Sequence, residues 1–232
     1  MISMEVGKFN AAKEALSYVR SGNVVGLGSG TTSAIFIRLL GRKAERDGLR
    51  LTCVPTSNKA ERLARKQGLR VIRFDPEIKV DVAIDGADQV DRKLNLIKGY
   101  GGAFLREKAI DLKAGRLVII VDESKLKKEL GGRVPLEVAA KDVRRVAAGL
   151  AAINIKGIVR KAGNRRIITD NGNAIIDAVV ERIDNPAALD AQLMGIDGVI
   201  ETGLFVGAAW KVVIGTHDGA MVLDRSNSRR RT

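Results

Sequence analysis

Cysteine and histidine are almost absent from the sequence, which has one of each, Cys53 and His217. A lone cysteine excludes an internal disulfide, and Cys53, inside an apolar run, reads as a core residue. His217 stands in THDG and reads as a turn residue, not a ligand. Aromatic residues make up 3% of the chain, too few for the stacking platforms that hold single-stranded nucleic acid. No zinc-finger spacing and no RRM signature occurs. No apolar run approaches the roughly 20 residues of a membrane span. The N-terminal MISMEVGKFNAAKEAL is amphipathic and lacks the apolar core of a secretory signal. A cytoplasmic protein without a membrane partner is the expectation.

What is abundant is positive charge, +13 overall. Four of those charges, Arg225, Arg229, Arg230 and Arg231, sit in the closing RSNSRRRT, which is low in apolar content and reads as a disordered tail over 225–232. The rest is spread along helices and forms no single stripe. A solvated basic surface accounts for it better than nucleic acid does, and an anionic metabolite is compatible with it.

Short apolar runs alternate with helical patterns. NVVGLG, LTCVP, LRVIRF, KVDVAID and RLVIIVD read as strands. Residues 5–20 place Val6, Phe9, Ala12, Ala15, Leu16 and Val19 on one helical face, and SNKAERLARKQG is a helix capped by Ser57 or Asn58. This order predicts an α/β fold with a doubly wound, mostly parallel, Rossmann-like sheet and active loops at its carboxyl ends. From Gly132 the order changes to β-α-β-β-α-β, with a helix capped by Asp142 and a hairpin turn at DNGN. That predicts a smaller ferredoxin-like α+β domain over 132–202, inserted into a catalytic domain of 1–131 and 203–224.

GLGSGTTS, 26–33, joins a strand to a helix. Freed backbone N–H groups and hydroxyls make an anion cradle at a helix N-terminus. No lysine follows as in a Walker loop, and Thr31 replaces the third glycine of a dinucleotide fingerprint. A phosphate on a small molecule fits better; a tight turn with a polar cap is the bland alternative. PTSNKA, 55–60, can add hydroxyls to the same pocket or be an ordinary cap. In IDGADQVDRKLNLIKGYGGAFLREK, 84–108, three acids are followed by Lys98, a glycine loop and Glu107. Asp85 and Asp88 can hold Mg²⁺ or simply end a strand. Apolar neighbours of Glu107 would raise its pKa, as suits a general base, although Arg106 and Lys108 flank it. Asp91 is left as a surface acid.

Together GLGSGTTS, PTSNKA, IDGADQVD with LNLIKGYGGAFLREK, VDESK and TDNGNAIIDA resemble the A type of ribose-5-phosphate isomerase. IETGLF and GTHDG extend the match to about Asp224. The resemblance implies interconversion of ribose 5-phosphate and ribulose 5-phosphate without cofactor or metal. It implies Glu107 as the base, Asp85 and Asp88 on sugar hydroxyls and ring opening, and Lys98 as a catalytic amine. A phosphosugar is then expected against Ser29, Gly30, Thr31, Thr32, Gly86, Ala87, Gly99, Tyr100, Gly101 and Lys125. Tyr100 interrupts a run usually richer in glycine, and RVPLEVA departs from the usual PLPVEV. A homodimer or homotetramer is expected. A phosphosugar sensor or a CoA-transferase-like protein on the same fold are the competing readings.

Overall fold

The computed structural model describes residues 2–224; the tail expected at 225–232 lies outside them. In chain order the elements begin with α1 (Ile2–Ala15), β1 (Val24–Leu27), α2 (Thr31–Asp47), β2 (Thr52–Pro55), α3 (Asn58–Lys66) and β3 (Val82–Asp85). Next come β4 (Gln89–Val90), β5 (Leu96–Ile97), α4 (Phe104–Asp111), β6 (Leu117–Asp122), β7 (Leu130–Val138), α5 (Val143–Ala152) and β8 (Lys156–Val159). The chain continues with β9 (Lys161–Ala162), β10 (Arg165–Arg166), β11 (Ala174–Ile183), α6 (Pro186–Met194), β12 (Val199–Thr202), β13 (Leu204–Phe205), β14 (Lys211–Gly215) and β15 (Ala220–Asp224).

The main sheet runs β15-β14-β6-β3-β1-β2. All its pairs are parallel except β14 with β15. Strands β3 and β6 are buried along their whole length, which is why they read as unbroken apolar runs. From β1 the chain moves outward to β2, then returns to place β3 on the other side. The carboxyl ends of β1 and β3 therefore flank a switch point, where a crevice opens in sheets of this kind.

Two expectations fail locally. LRVIRF is not a strand: only Val71 bridges to Cys53, because the segment alternates with exposed arginine at Arg70 and flanks an edge strand with nothing beyond it. Of the helical face expected over 5–20, Ala12 and Ala15 on α1 and Val19 beyond it are buried, but Phe9 is exposed. The helix instead sits down on β14 through small residues: a side chain on Gly7 would meet the Gly215 carbonyl at 2.7 Å.

The second sheet is antiparallel, in the order β12-β7-β11-β8, with α5 and α6 as its helices. This is the strand order of the split β-α-β-β-α-β unit. The DNGN turn closes with Thr169 N–H donating to Asn173 O at 2.9 Å. A further small hairpin, β9 with β10, precedes it. Asp142 sits at the α5 N-cap but makes no capping bond; its carboxylate meets Arg145 at 3.3 Å instead. A third sheet, β13-β5-β4, has strands of two residues each and was not foreseen. It matters because β5 ends at Ile97, and Lys98 N–H then donates to Gly203 O at 2.8 Å, which fixes the start of the glycine loop.

Candidate active site

At the switch point lies a cavity of about 500 Å³. The loops after β1, β2, β3 and β6 reach it, as do the glycine loop, the start of α4 and the 167–170 segment that leads into β11. Of the residues expected in the site, Ser29, Gly30, Thr31, Thr32, Gly86, Ala87, Asp88, Lys98, Gly99, Gly101, Glu107 and Lys125 line it.

The two strand-to-helix turns are joined as well as adjacent. Ser29 Oγ is 2.9 Å from Thr56 Oγ1 and 2.7 Å from Ser57 Oγ, so PTSNKA does contribute to the pocket wall. Ser57 also caps α3 by accepting from Ala60 N–H. Gly30 is the N-cap of α2 with no side chain to occupy the helix start. The first N–H groups of a 17-residue helix thus face the cavity beside Lys125 and Lys8, an anion site by backbone and charge together.

Asp85 departs from expectation. It does not line the cavity; it is fully buried beneath it. Its Oδ1 accepts from Ser29 N–H at 3.0 Å, Gly86 N–H at 2.6 Å and Ser33 Oγ at 3.3 Å, and Oδ2 meets Lys98 Nζ at 2.7 Å. Gly28 makes this room, since a Cβ built there would overlap the Asp85 carboxylate. Oδ1 is thus taken by three donors and Oδ2 faces the Lys98 ammonium, so Asp85 meets protein groups beneath the cavity.

Lys98 is the hub. Its ammonium has three protons, and three acceptors surround it: Gly86 O at 2.6 Å, Asp85 Oδ2 at 2.7 Å and Glu107 Oε2 at 3.3 Å. Phe205 lies 5.3 Å from the same nitrogen. Burial works against the charge of Lys98, but Asp85 first and Glu107 second outweigh it and hold the amine protonated.

Glu107 opens on the cavity and is otherwise buried. Burial pushes its pKa up to about 7; Lys98 opposes that shift and Asp85 adds to it. Asp88 also lines the cavity. Burial raises its pKa, against the Tyr100 N–H, which donates to Oδ2 at 2.8 Å, and against Lys98. Tyr100 itself is 44% exposed and outside the cavity lining. Its hydroxyl donates to Arg133 O at 3.3 Å, so of the expected substrate contacts its side chain drops out.

Several site residues were not foreseen. Asp111, one turn after Glu107, is buried, and neither of its oxygens has a hydrogen-bond partner among the described residues. Lys98 Nζ is 3.6 Å away with its protons already spent. Burial first and Asp85 second push the Asp111 pKa well above the ordinary range, while Lys98 opposes the shift. The i,i+4 spacing from Glu107 was the available signal. Asp170 of the DNGN turn and Thr169 just before it form one wall. Glu137 anchors them from β7, its Oε1 accepting from Thr169 Oγ1, Asn171 Nδ2 and Asn173 Nδ2 at 2.8, 3.1 and 2.9 Å.

The remaining expectations fall out simply. Asp91 is not a surface acid: it is buried and accepts from Lys93 N–H, Asn95 N–H and Asn95 Nδ2, each at 2.8 Å. Lys108 turns away from Glu107 to Glu201 at 2.6 Å. His217 is exposed, and its ring meets the carboxylate of the neighbouring Asp218. Cys53 is in the core, and burial pushes its thiol up to about 12.

Known proteins similar to this chain agree in kind. A family model for ribose 5-phosphate isomerase A (phosphoriboisomerase A) matches residues 52–219. The ribose-5-phosphate isomerase A of Pyrococcus horikoshii is 42% identical over 229 residues, spanning 97% of this chain and 100% of that one. That of Methanothermobacter thermautotrophicus is 43% identical over 218 residues, 92% of this chain and 95% of its own. A solved D-ribose-5-phosphate isomerase in complex with phospho-erythronic acid superposes with a TM-score of 0.92 at 42% identity, covering 96% of this chain and 99% of that one. The Methanocaldococcus jannaschii structure gives 0.89 at 39% identity, covering 94% and 97%.

Proposed function

Because the chain belongs to the ribose 5-phosphate isomerase A family, we propose that it interconverts D-ribose 5-phosphate and D-ribulose 5-phosphate, with Glu107 moving the proton between C2 and C1. The observation that carries this is the placement of Glu107: a carboxylate on the cavity, 3.3 Å from Lys98, with a pKa of about 7. A base near the working pH is both ionised and strong enough to take a proton from carbon.

The sugar ring must first open, which moves a proton between O1 and the ring oxygen. Asp88 serves that step, being on the cavity with a raised pKa. Glu107 then removes the C2 proton, and the electron pair moves onto the carbonyl oxygen to form an enediolate. Return of the proton at C1 completes the ketose. The glycine-loop N–H groups donate to the negative oxygen, a contribution of roughly 2.7–4 kcal/mol for one preorganised donor, and the positive charge of Lys98 favours it through space. The phosphate sits at the start of α2, against Gly30, Thr31 and Thr32, with Lys125 near it. Asp85 acts from below, holding Lys98 and the Ser29 backbone in place, not by touching substrate.

The competing sensor and CoA-transferase-like readings have no support from these relatives. We include two or four copies of the chain in the proposal; the exposed Ile158 and Ile200 on the edge strands of the second sheet support it, and sedimentation tests it. The activity is tested by incubating the purified chain with ribose 5-phosphate, with and without EDTA. Ketose formation unaffected by EDTA is expected. No ketose, or activity that EDTA abolishes and Mg²⁺ restores, contradicts the reading.

A further inference from the structure

Arg160 is the residue that brings the second sheet into the chemistry. It follows β8, lies 61 positions from Gly99 and 60 from Tyr100 in sequence, and belongs to none of the sequence motifs. Its guanidinium is spread over three partners. Nε and Nη2 bind the two oxygens of Asp177, which is buried on β11, with Nε at 3.1 Å. The remaining nitrogen, Nη1, donates to two consecutive backbone carbonyls, Gly99 O at 2.9 Å and Tyr100 O at 3.0 Å.

Holding those carbonyls decides where the next N–H groups point. The described residues contain no cis peptide bond, and in a planar trans peptide the C=O and the following N–H are antiparallel. With Gly99 C=O turned to Arg160, Tyr100 N–H turns the other way and donates to Asp88 Oδ2 at 2.8 Å. With Tyr100 C=O held likewise, Gly101 N–H is turned away from Arg160 as well. Gly101 lines the cavity, and its N–H has no acceptor among the described residues. It is a donor left open on the cavity side of the loop.

We infer that Arg160, held by Asp177, is a positioning residue that aims the Gly101 N–H at the enediolate oxygen and the Tyr100 N–H at Asp88. The inference rests on the isomerase reading and adds to it a device in the second sheet. Arginine suits this task because its planar fork serves a carboxylate and two carbonyls at once. Lysine has the charge without the fork.

The test compares wild type with Arg160→Met and with the double variant Arg160→Met, Asp177→Leu. The double variant keeps the test open if the single one fails to fold, because it leaves no buried carboxylate unpaired. Turnover of ribose 5-phosphate is measured per folded molecule. Affinity is measured for phospho-erythronic acid, whose charged carboxylate mimics the enediolate, and for erythritol 4-phosphate, which has no such charge. The expected result is a kcat about 10²-fold lower, as for a lost oxyanion donor, with KM within about threefold. Phospho-erythronic acid should weaken while erythritol 4-phosphate does not. An unchanged kcat, or equal weakening of both compounds, overturns the role of Arg160 while leaving the isomerase reading intact. A wild-type chain with no turnover overturns both.

Discussion

Lys98 Nζ lies 3.3 Å from Glu107 Oε2, with both side chains buried and Asp85 on the same ammonium at 2.7 Å. The ammonium is shared, so it offsets only part of the desolvation of Glu107, and the base settles near neutrality and not in the usual carboxylate range. The kcat/KM of the enzyme should therefore rise with pH through a limb centred near 7, because the free base must be ionised to act. Below the limb it should fall about tenfold for each step of one in pH. A profile flat from roughly pH 5.5 to 8 would mean a base of ordinary strength.

The raised pKa of Glu107 has a consequence for stability. The folded state raises it from 4.5 to about 7, so folding favours the protonated form. This contribution is fully present below pH 4.5 and is lost as pH rises through about 7. Glu107→Gln cannot lose it. The variant should match wild type in thermal stability near pH 5. At about pH 8.5 it should exceed wild type by about 1–3 kcal/mol, since a tenfold difference in proton affinity between folded and unfolded chain is worth roughly 1.4 kcal/mol. Equal melting temperatures at both pH values would contradict the burial argument.

Burial and Asp85 raise the Asp111 pKa well above the ordinary range, against Lys98, and the Lys98 protons point to Gly86, Asp85 and Glu107, so the expectation is a protonated Asp111 in the working enzyme. Asp111→Asn then removes no charge from the working enzyme. Its acid limb should stay within about 0.3 in pH of the wild-type limb, whereas loss of a neighbouring negative charge would lower it by about 1. A drop of that size in the kcat/KM profile would show that Asp111 is ionised.

Glu137 gathers three side-chain donors on one oxygen and so holds the turn that walls the cavity at Thr169 and Asp170. Glu137→Ala strands the buried Thr169 hydroxyl and frees the amides of Asn171 and Asn173. It should destabilise the protein by roughly 2–4 kcal/mol in urea unfolding, and raise KM more than it lowers kcat. An unchanged KM would mean that the wall is held by other contacts.

The legible parts of this protein were those carried by local pattern. The apolar runs of β1, β3 and β6 and the Gly30 entry to α2 are visible in a few consecutive residues, and they place the cavity. Glu107 was visible through its apolar neighbours and, more firmly, through the family resemblance. What stayed hidden depends on distant segments meeting. Asp85 resembles any strand-end acid until Gly28, at the end of the neighbouring strand, is seen to make space for its carboxylate. Arg160 was one basic residue among many, because its partners Gly99, Tyr100 and Asp177 come from another loop and another strand. The two-residue strands β4, β5 and β13 are too short for any periodicity to reveal.

The central claim is that Glu107 transfers the proton between C2 and C1, and isotope exchange tests it most directly. Ribose 5-phosphate is converted in D₂O by wild type and by Glu107→Gln, and deuterium at C1 of the ketose is followed by NMR. The account predicts label at C1 with wild type. It also predicts at least a roughly 10²-fold loss of both turnover and labelling in the folded variant. A Glu107→Gln variant that isomerises and labels at near wild-type rates would contradict it.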